Sequence, residues 1–178
     1  MEIKIFLAHT SEVNEDIEQI QNSIYTKYQK DDKVKLIIEH WTDADKSLSP
    51  DRFQERLNEL LGTCEILYVF FHNRIGDYTK EEFTFGFERL KVKQKPYSMS
   101  VFSKEFQISN KASKEERREA NEAINFADEV KELHDNQYVY SYQDIHELKN
   151  QLLHQLEKDI EKLILPQVPI ADISEFFS

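Results

Sequence analysis

The sequence predicts an α/β fold: a five-stranded parallel sheet with helices on both of its faces. Short apolar runs alternate with stretches whose apolar residues recur at helical spacing, from residue 3 to residue 163. The chain has 178 residues, which is enough for one domain with a hydrophobic core. Since strands that alternate with helices form right-handed βαβ units, we expect a flavodoxin-like three-layer sandwich with strand order 2-1-3-4-5.

The first two strands and the helix between them are predicted within residues 3–39. Residues 3–8 (IKIFLA) and 34–39 (VKLIIE) are apolar runs typical of buried strands. Either Thr10 or Ser11 is placed to cap the helix between them. The inward stripe of that helix consists of residues at a mean spacing of 3.5, namely Val13, Ile17, Ile20 and Ile24.

The second helix and the third strand follow a polar loop at residues 40–51. Ser49 and Pro50 have the types preferred at the cap and the first position of a helix. Gly62 is predicted to end this helix in the left-handed conformation. Residues 66–71 (ILYVFF) are an uninterrupted apolar run, which predicts a buried strand.

The remaining elements are a strand at residues 97–102, a helix at 115–133, a short strand at 138–142 and a last helix capped by Asp144. We assign residues 1–165 to one domain. Residues 166–178 are interpreted as a tail or a linker towards a further domain of a longer protein.

Composition restricts the partners. The formal net charge is −11, which disfavours direct nucleic-acid binding and an anionic membrane surface. No apolar run approaches the ~20 residues of a membrane-spanning helix. The single cysteine, Cys64, permits no internal disulfide and suits a reducing compartment; we interpret it as a core residue. We therefore expect a cytoplasmic protein without a direct nucleic-acid or membrane partner.

Glu82 is the first candidate for chemistry. It lies at the start of a predicted helix just beyond the third strand, and ligands of open α/β sheets bind beyond the carboxyl ends of the strands. The structural alternative is a capping box, in which Thr79 caps the helix and the Glu82 side chain bonds back to it. Gly86 and Arg89 share the helix face of Glu82, and Gly86 would allow another group to approach closely.

Three histidines, His9, His40 and His72, are predicted at strand ends, where a zinc site is conceivable. No ligand spacing within a single element supports it, so we predict no metal and no bound cofactor. The sequence contains no GxGxxG, GxxxxGK[ST] or GxSxG motif, which disfavours Rossmann, P-loop and serine-hydrolase enzymes. Trp41, in the polar loop, is either an anchor for that loop or a stacking surface for a base or a partner subunit.

Four segments together resemble the TIR-like domains found at the N-terminus of bacterial defence and signalling proteins. They cover most of residues 1–163: KIFLAHTSEVNEDI, HWTDADKSLSPDRFQERLNELLGTCEILYVF, FFHNRIGDYTKEEF, and the pair KPYSMSVFSK and YSYQDIHELKNQLLHQLEKDI. Two departures concern the site: the family often has serine or tyrosine where this chain has His9 and Thr10, and often tryptophan where it has Tyr78.

The resemblance implies an NAD-cleaving effector domain in bacterial antiviral defence, which hydrolyses the nicotinamide–ribose bond of NAD after self-association. It places the catalytic glutamate four residues after the aromatic Tyr78, at Glu82, with Glu81 as the fallback. It also implies that His9, Thr10 and Ser11 line the pocket. Tyr78 and Trp41 are further substrate-binding candidates, and the Trp41 loop would gate the pocket or meet the next subunit.

Two other functions remain open at this point. One is a TIR-like interaction or oligomerisation module without activity, which the capping-box interpretation of Glu82 would favour. The other is an enzyme similar to nucleoside deoxyribosyltransferases, which share a flavodoxin-like sheet and a catalytic glutamate. The absence of a Gly-rich first loop counts against the second.

Overall fold

The computed structural model describes residues 1–40, 50–133 and 139–165. Five parallel strands form one sheet with the order β2-β1-β3-β4-β5, which confirms the predicted order. The strands are β1 (Glu2–His9), β2 (Lys35–His40), β3 (Ile66–Phe71), β4 (Ser98–Lys104) and β5 (Val139–Tyr142).

Helices cover both faces of this sheet. They are α1 (Asn14–Tyr28), α2 (Pro50–Leu61), α3 (Asp77–Lys91), α4 (Lys114–Leu133) and α5 (Ile145–Ile164). Successive strand residues point to opposite faces, so each strand contributes to two cores. One core packs α1 and α5 against the sheet, and the other packs α2, α3 and α4. The three-layer sandwich expected from the sequence is therefore present.

The order of the strands creates a switch point between β1 and β3. The chain runs from β1 outward to β2, then returns across β1 to form β3 on its other side. The His9 end of β1 pairs with Phe70 of β3, so the two carboxyl ends lie side by side. Helices leave these strands in opposite directions, and a crevice opens between them.

The observed helix starts can be compared with the capping residues predicted from the sequence. Asp144 caps α5 as expected, since its Oδ1 accepts hydrogen bonds from the backbone N–H of His146 (2.8 Å) and Glu147 (3.0 Å). The predicted cap at Thr10 or Ser11 is wrong. A short 3-10 helix, Ser11–Val13, intervenes before α1, and Val13 precedes α1 without a side-chain cap bond.

The predicted left-handed conformation of Gly62 is also wrong. None of the three glycines, all within the described ranges, has a positive φ. The Gly62 N–H still bonds to the Asn58 carbonyl at 2.9 Å, so the glycine continues the helical hydrogen-bonding pattern. Among the described residues, Lys93, just after α3, has the left-handed conformation, with φ of 59°.

Gly86 allows α3 to approach the sheet. A Cβ at this position would lie 2.4 Å from Cδ2 of Leu67, a buried residue of β3. The close approach predicted for Gly86 thus occurs, and the approaching group is the sheet itself. Arg89, on the same predicted face, donates from Nε to the Lys95 carbonyl at 2.5 Å instead of facing the crevice.

The burial of Cys64 and the character of the described helices bear on two further predictions from composition. Cys64 is fully buried, and burial raises the pKa of its thiol to about 12, which confirms a core residue. None of the described helices combines the length and the apolar character that a membrane crossing requires.

Candidate active site

A cavity of about 500 Å³ lies at the switch point, beyond the carboxyl ends of β1 and β3. We call it the Glu82 cavity. One wall comes from the end of β1 and the turn that follows: His9, Thr10 and Ser11. The structure thus brings together the three residues that the resemblance places at the pocket.

The opposite wall is apolar and was missed by the sequence analysis. Phe53 and Leu57 of α2 line it, and the ring of Tyr78 lies edge-on to Phe53 at a centroid distance of 6.0 Å. In the sequence, Phe53 and Leu57 recur at helical spacing, a pattern typical of the buried side of a helix that does not by itself indicate a binding site. Tyr78 was predicted as a site residue, and it lines the cavity with about half of its surface exposed.

Glu82 lies on the floor of the cavity, in the second turn of α3. Its side chain is 3% exposed, and no hydrogen bond joins it to any residue that the structure describes. The capping-box interpretation is wrong because α3 begins earlier than predicted. Gly76 is the residue before the helix, and Thr79 already lies inside the first turn. Neither the Thr79 nor the Glu82 side chain caps the helix.

Burial dominates the electrostatics of this carboxyl group. It raises the pKa of Glu82 to about 8, and the charge of neighbouring Glu81 adds a smaller increase. Glu81 itself is exposed, and its Oε1 accepts a hydrogen bond from Asn58 Nδ2 at 3.2 Å. Glu81 does not line the cavity, so the geometry separates the two acidic residues and favours Glu82 over its neighbour.

Thr10 contributes a second buried polar group without a partner. Its backbone N–H bonds to the Phe70 carbonyl at 3.2 Å, which fixes the turn after β1. Its hydroxyl is buried and has no hydrogen-bond partner among the described residues. Buried polar groups are nearly always satisfied in folded proteins, so an unpaired hydroxyl and an unpaired carboxyl group on the same cavity mark a place where a polar ligand gains bonds.

Arg74, in the loop between β3 and α3, also lines the cavity and was not predicted as a site residue. Its backbone N–H donates to Glu12 Oε2 at 3.0 Å, which ties the loop to the turn after β1. Its guanidinium donates to Ser11 Oγ at 3.4 Å and lies 3.8 Å from Glu12 Oε2. The rule that directed attention to Glu82, a residue just beyond a strand end, applies equally to Arg74.

Of the three strand-end histidines, the two whose side chains the structure describes have different surroundings. His9 lines the Glu82 cavity, whereas His72 Nε2 lies 2.9 Å from the Glu105 carbonyl oxygen, outside the cavity. The side chain of His40 lies outside the described residues, as does Trp41. Across residues 1–40, 50–133 and 139–165, no group of three or more histidine, cysteine or acidic residues is arranged to hold a metal ion.

Neither protein-family models nor curated proteins match this sequence.

Proposed function

We propose that this chain is a TIR-like effector domain that hydrolyses the nicotinamide–ribose bond of NAD, is activated by self-association and acts in bacterial antiviral defence. The observation that carries the catalytic part is the Glu82 carboxyl group, which is buried and unpartnered among the described residues and lines a cavity at the switch point. The family resemblance supplies the substrate and the biological setting.

The reaction requires the ionised form of the carboxyl group rather than the protonated form, because the leaving group needs no proton. When the bond between nicotinamide and C1′ of the ribose breaks, its electron pair stays on the ring nitrogen, and nicotinamide leaves as a neutral molecule. The ribose acquires oxocarbenium character, which a nearby negative charge stabilises. Water then adds to C1′ and loses a proton, giving ADP-ribose. Glu82 supplies the negative charge in this scheme.

The raised pKa of Glu82 fits a site that becomes active when substrate binds. In the free chain the carboxyl group holds its proton over much of the neutral range, since the pKa is about 8. The pyridinium ring of NAD is a cation, and a cation within a few ångströms lowers the pKa of a carboxyl group. Substrate binding thus ionises the residue that the reaction requires in its charged form.

The walls of the cavity suit the two parts of a nicotinamide riboside. The apolar wall of Phe53, Leu57 and Tyr78 offers a surface for the flat ring. The polar wall offers the unpaired hydroxyl of Thr10 and the hydroxyl of Ser11 to the ribose. Binding across the cavity would bring C1′ towards Glu82.

The test is nicotinamide release from NAD by the purified chain at high concentration, with products separated by chromatography. Glu82→Gln keeps the size of the side chain and removes its charge; we expect it to lower turnover by at least about a hundredfold, in line with the loss of a transition-state electrostatic contact. Glu88→Gln is the matched control, because Glu88 is an exposed residue of the same helix paired with Lys91. It should retain the wild-type rate.

Other results would point to the alternatives. Release of nicotinamide by Glu82→Gln at the wild-type rate would remove Glu82 from the mechanism, and Glu81→Gln tests the fallback directly. Base release from deoxynucleosides but not from NAD would favour an enzyme similar to deoxyribosyltransferases. No release from any of these compounds under conditions that force self-association would favour an interaction module.

A further inference from the structure

A second cavity of about 340 Å³ adjoins the Glu82 cavity, and Arg74 lines both of them. We call it the outer cavity. Its walls are the loop before α3, the segment that leads into α4, the first two turns of α4, and Glu12 in the turn after β1. The Asn73 side chain holds the first two of these walls together: Nδ2 donates to the Gln107 carbonyl at 3.0 Å, and Oδ1 accepts from the Gln107 N–H at 2.9 Å. The shared residue Arg74 therefore sits on a firmly held loop between two concave sites.

Most N–H donors of the Arg74 guanidinium have no hydrogen-bond partner among the described residues. An arginine side chain carries five N–H donors. In the described part of the chain, that of Arg74 makes one long hydrogen bond, 3.4 Å to Ser11 Oγ, and a 3.8 Å contact with Glu12. Half of its side chain is exposed. Among the described residues that line the two cavities, Arg74 is the only lysine or arginine. The Arg74 guanidinium is therefore the group that would bind an anionic part of a ligand in these two cavities.

The outer cavity has the composition of a nucleoside site. Ile108, Ala112 and Ala120 give it apolar surface. Glu116 is occupied in a capping box, since its Oε2 accepts from the Ser113 N–H at 2.7 Å. Glu119 has no hydrogen bond to any described residue, and a carboxylate is a common acceptor for the hydroxyls of a ribose.

We propose that the outer cavity and Arg74 complete a dinucleotide site, in which Arg74 binds the diphosphate and the outer cavity holds the second nucleoside. The assignment of the scissile half to the Glu82 cavity rests on the proposed function; the binding of phosphate and nucleoside does not. This makes Arg74 the residue that selects dinucleotides over free nucleosides, because an unphosphorylated substrate leaves the guanidinium unused.

Direct binding of ADP-ribose, measured by calorimetry, tests the site without requiring turnover. ADP-ribose carries the diphosphate and the adenosine but lacks nicotinamide. We expect Arg74→Gln to weaken its binding roughly tenfold or more, the cost of a charged hydrogen bond to phosphate. Arg56→Gln is the matched control: it removes the same charge from an exposed arginine that pairs with Glu59 and lines neither cavity.

Ala112→Leu tests the outer cavity separately, because the larger side chain enters it from a half-buried loop position. It should also weaken ADP-ribose binding, and it should lower the ratio of kcat/KM for NAD to that for nicotinamide mononucleotide, which lacks the adenosine. Arg74→Gln should lower the ratio of kcat/KM for NAD to that for nicotinamide riboside, which lacks phosphate.

The two proposals can fail separately. Binding of ADP-ribose that Arg74→Gln and Ala112→Leu weaken and Arg56→Gln does not supports the dinucleotide site even if the chain releases no nicotinamide. The opposite outcome is a chain that cleaves NAD with a kcat/KM no higher than its kcat/KM for nicotinamide riboside, and whose ratio of the two neither variant changes. That result would overturn the dinucleotide site but would still support the hydrolase. Absence of ADP-ribose binding at millimolar concentration overturns the site as well.

Discussion

The carboxyl group of Glu82 is held in a protonated state by its surroundings, which makes pH a direct probe of its role. If the ionised form stabilises the transition state, kcat/KM for NAD should rise with pH and level off above about 8, the pKa in the free chain. The kcat profile should have a lower midpoint, because the bound pyridinium lowers that pKa. Initial rates between pH 5 and pH 9.5 measure both profiles. A kcat/KM that falls with pH over this range would indicate a general acid instead.

The same group links stability to pH in the opposite direction. Its folded pKa, about 8, lies above the ordinary value of 4.5. Between these values the unfolded chain releases the proton while the folded chain retains it, so the free energy of unfolding falls as pH rises. The neutral Glu82→Gln should match the wild type near pH 4 and be more stable by about 4–5 kcal/mol at pH 8.5. Urea unfolding at both pH values measures this, with Glu88→Gln as the control. If the difference in unfolding free energy between Glu82→Gln and the wild type were the same at pH 4 and pH 8.5, the raised pKa of a buried Glu82 would be contradicted.

At the scale of elements, a polar cluster joins α5 to the sheet. Asp159 of α5 is fully buried and accepts hydrogen bonds from Tyr68 Oη and Ser98 Oγ, both at 2.7 Å, and from Gln155 Nε2 at 2.8 Å. Tyr68→Phe removes one donor from a buried carboxyl group and should lower the free energy of unfolding by about 1–3 kcal/mol. Tyr140→Phe, at a half-buried tyrosine that bonds to Gln155, should cost less. Chemical denaturation of both variants measures the difference, and equal losses would count against a special role for Asp159.

The elements themselves could be predicted well where long patterns define them. The strand β3 has the predicted bounds because its six consecutive apolar residues are flanked by the polar residues Glu65 and His72. Local capping patterns were less reliable, since a cap contributes only about 1 kcal/mol and tertiary packing can override it. Thr79 and Glu82 match a capping box in sequence, yet α3 begins at Asp77. The apolar wall of the site could not be predicted, because which part of the α2 stripe faces the cavity depends on where α2 lies against α3.

At the scale of the whole molecule, the proposed activation by self-association makes activity depend on concentration and on salt. The net charge of −11 makes like chains repel each other, and screening shortens the range of that repulsion from about 30 Å at 0.01 M salt to about 8 Å at 0.15 M. Turnover per chain should therefore rise with chain concentration, and at a fixed concentration it should rise as salt increases over this range. By mass action, the gain should be roughly tenfold across the midpoint of association. Sedimentation and nicotinamide release, measured on the same samples, should change together. A turnover per chain that stays constant while the chain passes from monomer to oligomer would show that a single Glu82 cavity is sufficient and that association serves another purpose.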